Sequence, residues 1–203
     1  MNKSHNYYTL AIIPTALALN ISIGVIVNML KIPVYLDAIG TVLTVLLLYP
    51  FGKKALWSGI AVGIGSFLIA GVILNPVLFW FTGTQAVIAI YTYYVFAKIL
   101  FLHEQANNTK KLVISILSGV FLGFVAAIVN APIVALIFGG VTGSGPSLIA
   151  ALFLKAGQNV WEATMSFGLT SEPIDKALQC MIAFIVYNRL ISGGLKLGDT
   201  EKK

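Results

Sequence analysis

Charge is what this sequence has least of. Only 10% of its 203 residues are Asp, Glu, Lys or Arg, against 58% from the apolar set, and the mean hydropathy is +0.92. Soluble domains carry about 25% charged residues, so a water-soluble globule, and with it a soluble enzyme, is excluded. The same balance excludes disorder, which needs low hydrophobicity and high charge. Cysteine is nearly absent: Cys180 stands alone in an apolar run, forms no intramolecular disulfide and reads as packing. The two histidines, His5 and His103, fall in polar segments, and with one cysteine they leave no metal-ligand cluster. No catalytic constellation is present. The thirteen Lys and Arg residues are scattered singly or in pairs, without the stripe that tracks a phosphate backbone, which excludes nucleic acid as a partner. The glycine-rich run GGVTGSGPS (139–147) lacks the Gly-Lys-Ser/Thr ending of a phosphate-cradling loop and reads as a flexible connection.

What is abundant is long apolar sequence. At roughly 20 residues per crossing and about ten per connection, the length fits six membrane helices in one domain over residues 1–203. It leaves no room for an attached nucleotide-binding domain. Spans are predicted at about 8–30, 36–51, 55–74, 78–102, 112–138 and 174–191. The first has no small-residue cleavage site after a short core and reads as a retained helix, not a signal peptide. Lys31 to Pro33, Gly52 to Lys54, and Asn75 with Pro76 punctuate the early boundaries, and the polar stretch from His103 to Lys111 cannot sit in lipid. Residues 139–173 are apolar but carry Lys155, Gln158, Asn159 and Glu162, so this segment is expected to form a short interfacial or re-entrant helix in the outer connection between helices five and six. The fold class is therefore an all-α integral membrane protein, a six-transmembrane-helix bundle.

Basic residues orient such a bundle. With the N-terminus inside, Lys3, Lys53, Lys54, Lys98, Lys110, Lys111, Arg189, Lys196, Lys202 and Lys203 fall on the cytoplasmic side or at its boundary. Lys31, Lys155 and Lys176 fall outside, a split of ten against three. Both termini are expected in the cytoplasm, which requires an even number of spans.

A few side chains interrupt the apolar pattern. Ala16, Asn20 and Gly24 form a narrow small or polar stripe on the first span, with Ala18 and Ser22 beside it. Such a stripe serves internal packing or docking to another membrane protein. Asp37 in PVYLDAIGT is a helix cap or a ligand contact. Asn130, two residues before Pro132, bonds a neighbouring helix or lines a cavity. Tyr35, Phe79, Trp80, Phe81 and Trp161 gather toward the outer half, where aromatic residues usually anchor to the interface. Tyr91 and Tyr94 lie deeper, and their hydroxyls need partners in the bundle or a wet pocket.

Together with the length and the inside termini, the stretches KIPVYLDAIGTVL, GGVTGSGPS and SEPIDKALQCMIAFIVYNRL make the chain resemble the substrate-binding S component of energy-coupling factor (ECF) vitamin transporters. The resemblance spans nearly the whole chain. It implies a receptor of the bacterial cell membrane, without catalytic activity or cofactor, that binds a vitamin-type small molecule at its outer face. It also implies three partners: a membrane coupling (T) protein and two ATP-binding subunits that hydrolyse ATP. The family's docking motif on the first helix is Ala-x-x-x-Ala; here Ala16 is followed by Asn20 and then Gly24, with Ala18 and Ser22 as a second small pair. The family's pocket location implicates Trp80, Gln85, Asn130, Asn159, Trp161, Glu162 and Lys176, and Tyr91 joins them as a deeper aromatic. Aromatic and amide side chains suit a flat ring such as hydroxymethylpyrimidine or pyridoxine. Pantothenate, met by Lys155 or Lys176, and a cobalamin-type ligand are the alternatives. A stand-alone secondary transporter would need ionisable groups near the midplane, and the interior charges are expected only near span ends. A purely structural membrane subunit is the remaining alternative.

Overall fold

The computed structural model describes residues 3–144 and 147–195. Lys196, Lys202, Lys203, Gly145 and Pro146, on which part of the orientation and loop reading rested, lie outside the described residues. Within them the chain is helical: α1 (Lys3–Leu30), α2 (Ile39–Leu48), α3 (Lys53–Ile73), α4 (Thr82–Tyr91), α5 (Lys98–Leu102), α6 (Asn108–Phe138), α7 (Ser147–Lys155) and α8 (Val160–Ser192). A 3-10 turn, Tyr49–Phe51, extends α2, another, Pro76–Phe81, leads into α4, and a π-helical stretch, Thr92–Ala97, joins α4 to α5 as one rod. Four helical stretches are long and apolar enough to cross a membrane: Leu10–Leu30, Lys53–Ile73, Pro76–Leu102 and Asn108–Phe138.

Three boundaries differ from the sequence expectation, each for a local reason. The second span was expected to cover 36–51, but its α-helix has only ten residues, about 15 Å at 1.5 Å per residue. Every one of them is buried, so α2 is the central post of the bundle and is shorter than a bilayer core. Helix α6 begins at Asn108 because Asn107 accepts the Lys110 amide at 2.8 Å, so a polar turn expected as loop is the helix's capped first turn. The largest correction concerns residues 139–173. Gly139, at φ +61°, ends α6 in the left-handed conformation that glycine adopts readily, and α7 is the short helix. From Val160, however, one 33-residue helix runs straight through Pro173. Pro173 removes one backbone donor, and neighbouring helices support such a residue where water is absent.

Close approach to α6 holds α8 in place there. A Cβ on Gly119 would run into the backbone of Lys176 and Ala177, and one on Gly123 into the backbone of Glu172 and Pro173. Gly119-x-x-x-Gly123-x-x-x-Ala127 is thus the small-residue seam of the fold. Ala16 and Asn20 face inward instead: a Cβ on Gly40 of α2 would meet the Ala16 carbonyl and Asn20 Oδ1. Their expected role as a partner-docking face is corrected on that ground, and Gly24 lies half-buried beside them. Ala18 and Ser22 occupy the exposed face of α1.

The bundle is apolar outside. Leu68, Val72, Phe121, Phe124, Ile128, Leu136, Ile174 and Ile185 are all exposed along α3, α6 and α8, an apolar exterior that suits lipid better than water. Lys53, Lys54, Lys98, Lys110, Lys111 and Arg189 mark one end, and Lys31 and Lys155 the other. Lys176 leaves that tally, because it falls at the middle of α8 and is buried.

Candidate functional site

The helix halves farthest from the basic end line a partly open cavity of about 140 Å³. Its walls come from the C-terminal halves of α1, α3 and α6, the start of α4, the N-terminal half of α8, and the connections at Tyr35, Asp37 and 142–144. An apolar cavity of about 150 Å³ holds benzene, so there is room for one six-membered ring with small substituents. Phe67, Phe81, Phe167 and Val134 supply apolar wall, and Asn20, Ser66, Thr84, Gln85, Asn130, Glu172 and Asp37 supply polar groups.

Each polar group is positioned by an identifiable device. Asn20 accepts the Gly40 amide at 2.7 Å and donates to Thr41 at 3.0 Å and Ser66 at 3.3 Å. It therefore ties α1 to α2 and α3, and it satisfies an amide at the start of α2 that no residue of α2 itself caps. Thr84 donates to Asn130 Oδ1, and Asn130 Nδ2 donates to Glu172 Oε1 at 2.9 Å, a relay running from α4 through α6 to α8. Pro132 lies one half-turn beyond Asn130, inside α6.

Beneath the cavity is a buried charge cluster. Lys176 Nζ lies 2.7 Å from Asp175 Oδ2, 3.6 Å from Asp37 Oδ1 and 3.6 Å from Glu172 Oε2. Asp175 is fully occupied: Oδ1 accepts the Tyr35 and Leu36 amides, both at 2.9 Å, and Oδ2 accepts Lys176 and Gln179, both at 2.7 Å. Gln179 Oε1 accepts the Ala38 amide at 3.1 Å. Asp175 and Gln179 thus hold the connection between α1 and α2, including Leu36 at φ +50°, a backbone conformation that a branched side chain resists. Asp37 is not the cap of α2, because Oδ1 has no hydrogen-bond partner and the amides nearby are served by Asn20 and Gln179.

The residues singled out from sequence divide sharply. Gln85 and Asn130 line the cavity, and Lys176 lies just beneath it. Asn159 and Glu162 form a reciprocal capping box that starts α8: the Glu162 amide donates to Asn159 Oδ1 at 2.9 Å and the Asn159 amide to Glu162 Oε2 at 3.1 Å. Trp161, 50% exposed, sits beside that cap and not over the cavity, so the expected lid around it is corrected. Trp80 is 55% exposed in the turn before α4. Tyr91 lies toward the opposite end, in a shallow apolar groove between the α4 rod and α6 with Leu117 and Ile114.

Sequence reasoning missed Glu172, Asp175 and Gln179, which with Lys176 recur at i, i+3, i+4 and i+7 along α8. That spacing is the signal of one helical face, hidden by reading Pro173 as a boundary. Compared with protein-family models, with curated proteins and with solved structures, the chain finds no match.

Proposed function

We propose that this chain is a six-crossing membrane receptor that captures a small water-soluble vitamin or vitamin precursor for ATP-driven uptake, in the manner of an ECF S component. It is a transport subunit and not an enzyme, ATP being hydrolysed by partner subunits. The observation that carries the reading is the partly open 140 Å³ cavity, a largely apolar space into which a few polar residues reach, at the end of an apolar bundle that bears few basic residues. Under the positive-inside rule that end is external, where a receptor meets its ligand. Six crossings follow if α2 and α8 traverse with the four long apolar stretches. The short α2 is sheathed by the others, and α8 turns its mid-helix charged groups Glu172, Asp175 and Lys176 inward. The cavity's size suits a pyrimidine or pyridine compound better than pantothenate and far better than a cobalamin. Ala18 and Ser22, exposed on α1, take the partner-docking role in place of Ala16 and Asn20.

Mass spectrometry of small molecules released from detergent-purified protein tests the reading. A vitamin-type compound at near one per chain is expected, and absence of any ligand and of tight binding across a vitamin panel would refute it.

One observation favours a second reading, secondary transport. The Asp37, Glu172, Asp175 and Lys176 cluster is buried near the middle of α8, where ion-coupled carriers keep ionisable groups. Ionophore-sensitive accumulation in liposomes holding this chain alone would select that reading, and none is expected of a receptor.

A further inference from the structure

An open groove of about 520 Å³ runs between the α4 rod and α6 on the outside of the bundle. Val95 and Ile99 form its wall on the rod, and Ile114, Leu117, Phe121 and Ile128 form its wall on α6. From Ile114 to Ile128 the groove follows α6 for about 21 Å at 1.5 Å per residue, so it is deep enough for the acyl chain of one leaflet, about 15 Å of a ~30 Å core. Ser118 and Tyr91 bring the only side-chain hydroxyls to its lining, too few to hold water there. A second helix would need small residues to come close, and bulky Leu117 and Phe121 hold one off, whereas a thin, flexible chain can lie between them. Charge marks where such a chain ends. Lys110 and Lys111 stand four and three residues before Ile114, on the helical face that carries it, and Lys98 adjoins Ile99. Lys98 and Lys110 are exposed, Lys111 is half-buried, and none of the three makes an ion pair among the described residues. Glu104 is the one acidic residue between 98 and 114, so the mouth of the groove is net positive.

We infer that this groove binds one anionic phospholipid of the leaflet at the basic end, an acyl chain lying against Val95, Leu117 and Phe121 and the headgroup phosphate among Lys98, Lys110 and Lys111. The apolar walls hold any lipid of the right length, and the lysines add the preference for negative charge. A zwitterionic lipid fills the same groove, but its own cation offsets the attraction of its phosphate to the lysines. The inference goes beyond the receptor reading and does not depend on what the cavity at the other end holds.

Native mass spectrometry of the full chain in detergent, titrated with dioleoyl phosphatidylglycerol or dioleoyl phosphatidylcholine, tests it, because the two lipids share their chains and differ in charge. The first phosphatidylglycerol is expected to bind at least about tenfold tighter than phosphatidylcholine. Lys98→Gln, Lys110→Gln and Lys111→Gln combined should bring the two lipids within about threefold of each other. Lys53→Gln with Lys54→Gln, at the same end but on α3, which packs against α1, α2 and α4, should keep the preference. Val125→Trp, at a half-buried position lining the groove, should weaken both lipids at least about fivefold by filling the space. If that variant does not fold, Leu117→Trp, 53% exposed on the same wall, makes the test. Equal affinities in the wild type, a preference that survives loss of the three lysines or falls as far with Lys53 and Lys54, or lipid binding untouched by the folded tryptophan variant overturns the inference. So does a dimer, or a complex with another membrane protein, that appears in the same spectra in place of lipid and is dissolved by the tryptophan.

Discussion

Adding one methyl group at Gly123 should do more damage than most larger changes at the surface. Gly123 is where α6 rests on α8, and the atoms that an alanine Cβ would strike are backbone: Pro173 N and Cα, and the Glu172 carbonyl oxygen at 2.5 Å. Non-bonded atoms settle near 3.5 Å, so the helices must part by roughly 1 Å, and no side chain can swing aside to relieve the clash. Forced overpacking of this kind costs about 1–3 kcal/mol. For a chain of this length that corresponds to a melting shift of roughly 2–12 °C. The same displacement stretches the Asn130 to Glu172 hydrogen bond from 2.9 Å toward the limit of hydrogen bonding, so the site should loosen together with the fold. The assay is thermal unfolding of detergent-purified Gly123→Ala beside Gly24→Ala, where a Cβ meets nothing within 4 Å. A Gly123→Ala protein melting within about one degree of wild type, or no lower than Gly24→Ala, would refute the account of this seam.

Asn20→Leu strips three hydrogen bonds and leaves the Gly40 amide without its acceptor; a loss of about 2 kcal/mol or more is expected in denaturant unfolding. If the proposed receptor function holds, Ala18→Trp and Ser22→Trp should fold and bind ligand normally yet fail in transport with the proposed partner subunits, whereas Ala16→Trp, buried against Gly40, should not fold; loss of binding in the Ala18 and Ser22 variants would return that face to internal packing. Trp161→Ala should leave ligand affinity unchanged, while Asn159→Ala should lower stability by about 1 kcal/mol through loss of the α8 cap, and a reduced affinity in the former would restore the lid. In a Cys180→Ala background, Lys111→Cys and Ser144→Cys should react with impermeant thiol reagents from opposite sides of sealed vesicles, and labelling of both from one side would break the topology.

The long apolar runs were legible in the residues because burial in lipid leaves a one-dimensional trace: about twenty apolar residues, bounded by Lys, Asn, Gly or Pro. The end of α1 at Leu30, the extent of α3 and the end of α6 at Gly139 follow from that alone. So does the inward demand of Asn130, since an amide in such a run must find partners. The Gly119-x-x-x-Gly123 seam, by contrast, emerged only from what packs on it.

Tertiary structure decided the rest, because the deciding contacts join residues far apart in the chain. Asn20 is a small-stripe oddity until the Gly40 amide and Ser66 arrive beside it. Pro173 is a natural stop until α6 lies against it closely enough to carry the helix through. Once it does, Glu172, Asp175 and Lys176 move from a presumed outer boundary to the buried middle of α8, and Asp37 meets them from 135 or more residues away. A charge near a proline looks peripheral in one dimension. Whether it is depends on which helices close over it, and that is a property of packing.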